Sequence, residues 1–97
     1  MNQELNYEKL IVDTNPIKIR LLSDIYIVYN KRGGYLPAID FIEIKTKITH
    51  SLFVGARSIA KGLEDLRIEN NDQIIGIELW IERKGTAKFD GYILELA

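Results

Sequence analysis

Apolar and polar side chains alternate along residues 17–30, and this alternation is the strongest constraint on the fold. A period of two is typical of a β-strand with one buried face, because successive side chains point to opposite sides of a sheet. Composition agrees, since 16 of the 97 residues are isoleucine, a β-branched residue that favours strands. Ser23 and Asp24 interrupt the apolar face, so the pattern predicts either one bent strand or two short ones. The apolar residues on this face are Ile17, Ile19, Leu21, Ile25, Ile27 and Tyr29.

Turn residues separate this stretch from four others that also predict strands. Residues 31–34 form a hairpin signal, because glycine supplies the positive φ angle that a tight turn needs. In the strand that follows, Asp40 is the exception on an otherwise apolar face. The predicted strands are residues 7–13, 17–30, 35–49, 73–84 and 88–96, and residues 1–6 are expected to fray. The residues of 73–84 predicted to point inward are Ile75, Ile77, Leu79 and Ile81.

One stretch, residues 51–66, has the spacing of an amphipathic helix. Thr49 or Ser51 is expected to cap its N-terminus. Gly55 and Gly62 each cost about 1 kcal/mol inside a helix, so close packing against the sheet is expected there. The apolar residues at helical spacing are Leu52, Ala56, Ile59, Leu63 and Leu66.

The order of these elements predicts a single domain over residues 1–97 that is α+β or mostly β. Five strands would form a small curled sheet or barrel, with the helix between the third and fourth strands. This order resembles the OB-fold, a five-stranded Greek-key barrel. The resemblance implies a surface for oligonucleotides or oligosaccharides on the second and third strands and the loops beside them. The alternative is an open antiparallel sheet, covered by the helix on one face and by a partner on the other.

Several function classes are excluded or disfavoured by residue content. The absence of cysteine excludes disulfides, thiolate metal sites and cysteine nucleophiles. His50 is the only histidine, expected at the surface or at a helix cap, and no catalytic motif surrounds it. We therefore expect no enzymatic activity, no metal and no cofactor. No apolar run is long enough to span a membrane, so the expected location is the cytoplasm, or the host cytoplasm if the gene is viral.

Aromatic and cationic residues on the presumed outer faces of the strands suggest a binding surface. Trp80 is out of phase with Leu79 and Ile81, so it should point away from the core, between Glu78 and Glu82. Aromatic rings interleaved with cations suit single-stranded nucleic acid, because rings stack on bases and cations follow the phosphates. The expected stacking residues are Trp80, Phe41, Tyr26 and Tyr35. The expected phosphate contacts are Lys18, Arg20, Lys31, Arg32, Lys45, Lys47 and Lys84.

A protein interface on the same face is the alternative function. Exposed tryptophan is common at interfaces, and Glu78 and Glu82 would repel phosphates beside Trp80. In this hypothesis the chain is a small accessory protein, viral or from a mobile element, that binds a partner or forms a homodimer. The net charge of −1 gives no overall attraction to nucleic acid.

Overall fold

A computed structural model describes residues 5–10, 12–30, 34–85 and 91–97. The described residues form six strands and one helix, so the domain is mostly β, with one more strand than predicted. In chain order the elements are β1 (Ile17–Leu21), β2 (Tyr26–Asn30), β3 (Gly34–Glu43), β4 (Thr49–Phe53), α1 (Arg57–Glu69), β5 (Glu78–Arg83) and β6 (Tyr92–Leu96).

The alternating stretch 17–30 is two short strands, one of the two forms that the sequence predicts. Both pair antiparallel with β3, with Leu21 opposite Phe41 and Tyr26 opposite Ala38. Residues 22–25 therefore lie opposite only residues 39 and 40, which makes a bulge between β1 and β2. The Asp40 amide donates to Ser23 Oγ at 3.0 Å, so the bulge supplies the hydrogen bond that a regular ladder would have given.

The prediction of one strand over 35–49 and a helix from 51 is wrong. A turn follows β3, with Lys47 at φ 59°, and the chain then runs back as β4, which pairs antiparallel with β3. Leu52 is buried because it pairs with Ile39 in the sheet, and its helical spacing to Ala56 is coincidental. The helix begins at Arg57, and its N-cap has no side-chain hydrogen bond. Thr49 and Ser51 lie in β4 and cap no helix.

In the sheet, β2 and β1 pair with one edge of β3 and β4 pairs with the other edge, while β5 pairs with β1 and β6 with β5. Among the described residues it does not close into a barrel, and the open antiparallel sheet is the form observed. The free edge of β4 is taken by the N-terminal segment, residues 5–10, through a parallel bridge between Lys9 and Ser51. Leu10 N donates to Ser51 O at 3.2 Å, and Ser51 N donates to Glu8 O at 3.1 Å. This bridge replaces the longer strand predicted for 7–13.

The helix packs on one side of the sheet, called here the helix face, and this side holds the core. Gly62 allows the close approach that the sequence suggests, because a Cβ there would lie 3.1 Å from Leu94 Cδ2. Ile75, predicted to point inward, is 58% exposed. Its place is taken by fully buried Ile74, because the backbone turns at Gly76, with φ 90°, before β5 begins. The buried residues of this core are Val12, Ile19, Leu21, Ile39, Phe41, Leu52, Val54, Ile59, Leu63, Leu66, Ile74, Leu79 and Ile81.

Candidate functional site

Trp80 lies on the side of the sheet opposite the helix, called here the far face, and is 42% exposed. Its neighbours Leu79 and Ile81 are buried in the core, so the predicted phase of this strand is confirmed. Register places Trp80 directly between Lys18 of β1 and Glu95 of β6. These three side chains form a row across three adjacent strands, which we call the Trp80 row.

The two cations predicted for this face are already partnered. Arg20 donates to Glu78 Oε2 through Nε at 3.0 Å and through a terminal nitrogen at 2.5 Å. Lys18 Nζ lies 3.8 Å from Glu78 Oε1. The hydrogen bond from Arg20 holds the pKa of Glu78 below its usual range, so this carboxylate stays charged. Phosphate binding by either cation would have to compete with Glu78.

Tyr26 also lies on the far face, but its hydroxyl belongs to a buried polar network. It donates to Asp40 Oδ1 at 2.5 Å, and Ser51 Oγ donates to the same oxygen at 2.7 Å. Asn6 Nδ2 donates to Asp40 Oδ2 at 2.8 Å, although Asn6 lies in the stretch expected to fray. Burial and the bond to Asp40 raise the pKa of Tyr26. The Tyr26 hydroxyl thus helps to fix the N-terminal segment to the sheet.

Phe41 cannot be a stacking platform, because it is fully buried on the helix face. The far-face side chains of β3 are Leu36, Ala38, Asp40 and Ile42, which pair with Val28, Tyr26, Ser51 and Arg20 respectively. His50, expected at the surface or a cap, is on β4 with its ring 5.9 Å from that of Phe41. Lys45 and Lys47, which the sequence places in a strand, are exposed in the loop between β3 and β4.

The remaining predicted site residues are scattered. Tyr35 is 75% exposed, with its ring 5.2 Å from that of Tyr29, but it shares the Phe41 side of β3. Lys84 is exposed just after β5. Lys31 and Arg32 lie outside the described residues. Of the predicted residues that the structure describes, it thus brings together only Trp80, Lys18 and Arg20.

Two features of the far face escaped the sequence analysis. Glu95 completes the Trp80 row, and it would have been placed outward by the alternation of residues 92–96, which favours Tyr92, Leu94 and Leu96 as the inward residues. Asp40 interrupts an otherwise apolar face in the sequence, and in the structure it is 4% exposed and organises the buried network. A carboxylate on an apolar face is a signal for such a network, because burial requires hydrogen-bond partners.

No helix in the described part of the chain has the length and apolarity needed to cross a membrane. Over the same residues, no three potential metal ligands from histidine, aspartate or glutamate side chains come together. Comparison with family models, curated proteins and solved structures gives no match to this chain.

Proposed function

We propose that this chain is a non-enzymatic domain that associates with a second copy of itself through the Trp80 row. The observation that carries the proposal is the order of the row, with a cation on β1, tryptophan on β5 and a carboxylate on β6. Neighbouring strands are about 4.8 Å apart, so Lys18 and Glu95 flank Trp80 at roughly 10 Å from each other.

This order is self-complementary under one kind of symmetry. A two-fold axis parallel to the strands and passing over Trp80 exchanges the β1 and β6 sides of the face. It sets Lys18 of each copy opposite Glu95 of the other and brings the two indole rings together. Such an isologous contact is the usual form of a homodimer interface. A half-exposed tryptophan at its centre fits the role of an anchor residue.

The charges around Trp80 favour a protein over a nucleic acid. Three of its nearest far-face neighbours are carboxylates, namely Glu78, Glu82 and Glu95, and the fourth is Lys18. Phosphates would be repelled by these carboxylates. In the dimer, Lys18 of each copy meets Glu95 of the other, and Glu78, which the axis sets opposite its own copy, is already paired with Arg20. With Phe41 buried and the Tyr26 hydroxyl bonded, Trp80 is the one predicted stacking residue left for bases on the described part of the far face.

Single-stranded nucleic acid is the second candidate, and Lys18 beside Trp80 is the observation that favours it. A strand could stack one base on the indole while Lys18 contacts the adjacent phosphate. The proposed relation to OB-folds supports the same candidate. If β1 and β2 are taken as one bent strand, five strands follow the OB-fold order, with α1 between the third and fourth.

A charge exchange across the Trp80 row tests the homodimer. We expect the wild-type chain to dimerise in sedimentation velocity, and Lys18→Glu or Glu95→Lys alone to dissociate the dimer. The double variant Lys18→Glu/Glu95→Lys should restore it, because the exchanged charges pair again. Trp80→Ala should weaken association by about 2 kcal/mol or more. Lys61→Glu, on the exposed side of α1, is the matched control and should leave the dimer intact.

A monomer that persists to millimolar concentration would reject the homodimer. Fluorescence of Trp80 titrated with oligo-dT at two salt concentrations then decides the second candidate. A quench that weakens with salt supports nucleic acid, and Trp80→Ala should remove about 1–3 kcal/mol of that binding. An unchanged signal would reject the second candidate as well.

A further inference from the structure

The outer edge of β6 is an open strand edge. Ala97 N donates to Glu78 O at 3.2 Å, and Lys84 N donates to Gly91 O at 2.8 Å. Backbone groups of the odd-numbered residues therefore face β5, and those of the even-numbered residues face away from it. Tyr92 N donates to Ser58 Oγ at 2.8 Å. Within residues 5–10, 12–30, 34–85 and 91–97, nothing pairs with the outward amides of Leu94 and Leu96.

Part of this edge lacks the usual protection against pairing. Natural edge strands are blocked by lysine, proline, bulges or a covering helix. The sequence of β6, Tyr-Ile-Leu-Glu-Leu, has no lysine or proline, and among the described residues α1 bonds only the outward amide at its start, that of Tyr92, through Ser58. Leu96 is 55% exposed. The edge therefore presents unpaired backbone groups and apolar surface together, as do the sheet edges that bind extended peptides.

A groove runs beside this edge, between β6 and the C-terminal half of α1. Its volume is about 320 Å³. Buried Leu66 and half-buried Leu94 give it an apolar part, and Gly62 lets the helix approach β6 closely. The lining residues are Gly62, Asp65, Leu66, Glu69, Leu94, Glu95 and Leu96.

The charge of the groove indicates what it would bind. Asp65, Glu69 and Glu95 carry negative charge, and none of the described lysine or arginine residues lines the groove. A second copy of β6 would bring the same carboxylates together, and like charges at close range oppose such pairing. A segment with lysine or arginine next to apolar residues would complement both parts of the groove.

We propose that the β6 edge and this groove bind an extended segment of another protein, which adds to the sheet as a further strand. Alternate side chains of the added strand point to the same side, so apolar residues can reach Leu66 and Leu94. Lysine or arginine on the same side as these apolar residues meets Asp65 and Glu69 of α1, and one on the opposite side meets Glu95. This site is separate from the Trp80 row in all but Glu95, so it does not depend on the function proposed above.

The test uses the fluorescein-labelled peptide Val-Val-Lys-Lys-Val-Val-Lys-Lys, which as a strand carries both residue types on each side, measured by fluorescence anisotropy against the full chain. We expect the peptide to bind, and a valine–glutamate peptide of the same length not to bind. The double variant Asp65→Lys/Glu69→Lys should weaken binding about tenfold or more, because it reverses the charge of the groove wall. Glu64→Lys, exposed on the same helix but outside the groove, is the matched control and should bind like wild type.

A second pair of variants tests the backbone pairing. Leu96→Pro removes an outward amide without touching the ladder to β5, and should weaken binding about tenfold, the size of one hydrogen bond. Leu96→Thr keeps the amide and should retain binding. Thermal melts confirm that each variant is folded, and Trp80→Ala should bind the peptide like wild type.

Four results would overturn this proposal. The first two are no binding of the valine–lysine peptide at millimolar concentration, and equal binding of the two peptides. The third is an equal loss of binding in Glu64→Lys and in Asp65→Lys/Glu69→Lys. The fourth is equal binding by Leu96→Pro and Leu96→Thr. A dimer that Leu96→Pro dissociates would also overturn it, since the occupant would then be a second copy.

Discussion

The two halves of the far face differ in what covers them. In the covered half, defined by Asp40, Ser51 and Tyr26, the N-terminal segment lies against the sheet and Asn6 bonds to Asp40. In the open half, defined by the Trp80 row and Glu78, no described segment covers the indole. Both halves carry carboxylates, but Asp40 is buried among hydroxyl and amide donors, whereas Glu78 pairs with exposed Arg20 and Lys18.

This difference indicates which half has a structural role and which is free to bind. A buried carboxylate with several donors is costly to disrupt, because each donor loses its partner. Exposed ion pairs contribute little to stability and can exchange partners at low cost. We therefore expect substitutions in the covered half to alter folding, and substitutions in the open half to alter association.

The helix face sets the scale for these effects. Leu63 is fully buried between α1 and the sheet, so Leu63→Ala should lower the free energy of unfolding by about 2–5 kcal/mol. Urea titration followed by circular dichroism measures the change. Ala60→Gly, on the exposed side of the same helix, is the control. It lowers helix propensity without making a cavity, and should lower the free energy of unfolding by only about 1 kcal/mol. A loss below 0.5 kcal/mol for Leu63→Ala would place the helix elsewhere.

The comparison is sharpest at Asp40. Asp40→Ala leaves three donors without their acceptor and should cost about 1–3 kcal/mol of unfolding free energy. The matched substitution in the open half, Glu82→Ala, should change stability by less than about 0.5 kcal/mol. Equal effects in the two urea titrations would contradict the distinction between the halves.

Tyr26 extends the comparison to pH. Its pKa is raised in the folded chain, so folding holds the phenolic proton more tightly than the unfolded state does. The stabilisation that depends on this proton is complete below about pH 10, the ordinary pKa of tyrosine. It is lost as the pH rises from there through the folded-state pKa.

Tyr26→Phe should cost about 0.5–1.5 kcal/mol at neutral pH and reduce the loss of stability above pH 10. Tyr35→Phe, whose ring is largely exposed, is the control and should keep the wild-type profile. Urea titrations at pH 8 and at about pH 10.5 measure both quantities. If both phenylalanine variants follow the wild-type profile, Tyr26 is not the group that titrates with folding.

The smallest effect on folding is expected at Trp80. Because the indole is half exposed on the open half, Trp80→Ala should change the unfolding free energy of the monomer by less than about 0.5 kcal/mol. Chemical denaturation at low protein concentration separates this from any loss of association. A large destabilisation would show that the open half is also part of the core.

Alternation predicted the buried face of β1 and β5 but not of β2, where Ile27 and Tyr29 are exposed and Val28 is buried. In β1 and β5 it separated Ile19 and Leu79 from Lys18 and Trp80, because one face packs under α1 and the other is open. In β3 the rule failed, since residues 38–41 are all buried, with α1 on one side and the N-terminal segment over part of the other. Apolar content there could not tell which face holds Phe41.

Strand alternation also predicted part of the candidate site, namely which side chains point away from the core. Trp80 and Lys18 follow from strand phase, but their alignment with Glu95 depends on the register among β1, β5 and β6. Register is set by contacts distant in sequence, such as those of residues 22–25 with β3. The ion pairs that occupy Arg20 and the burial of Asp40 also arise only when separate segments meet.

The position of β3 among three other strands has a consequence for how amide protons exchange with solvent. Its residues 38–42 pair with β4 on one edge, and its other edge is held by β2, by the bulge and by β1. Opening one neighbour exposes only the amides that face it, so deuterium should enter every amide in the middle of β3 only when the whole domain unfolds. The outward amide of Leu96 should exchange at nearly the rate of an unfolded peptide. A deuterium-labelling map would therefore give the global unfolding free energy from β3 and the accessibility of the β6 edge from Leu96.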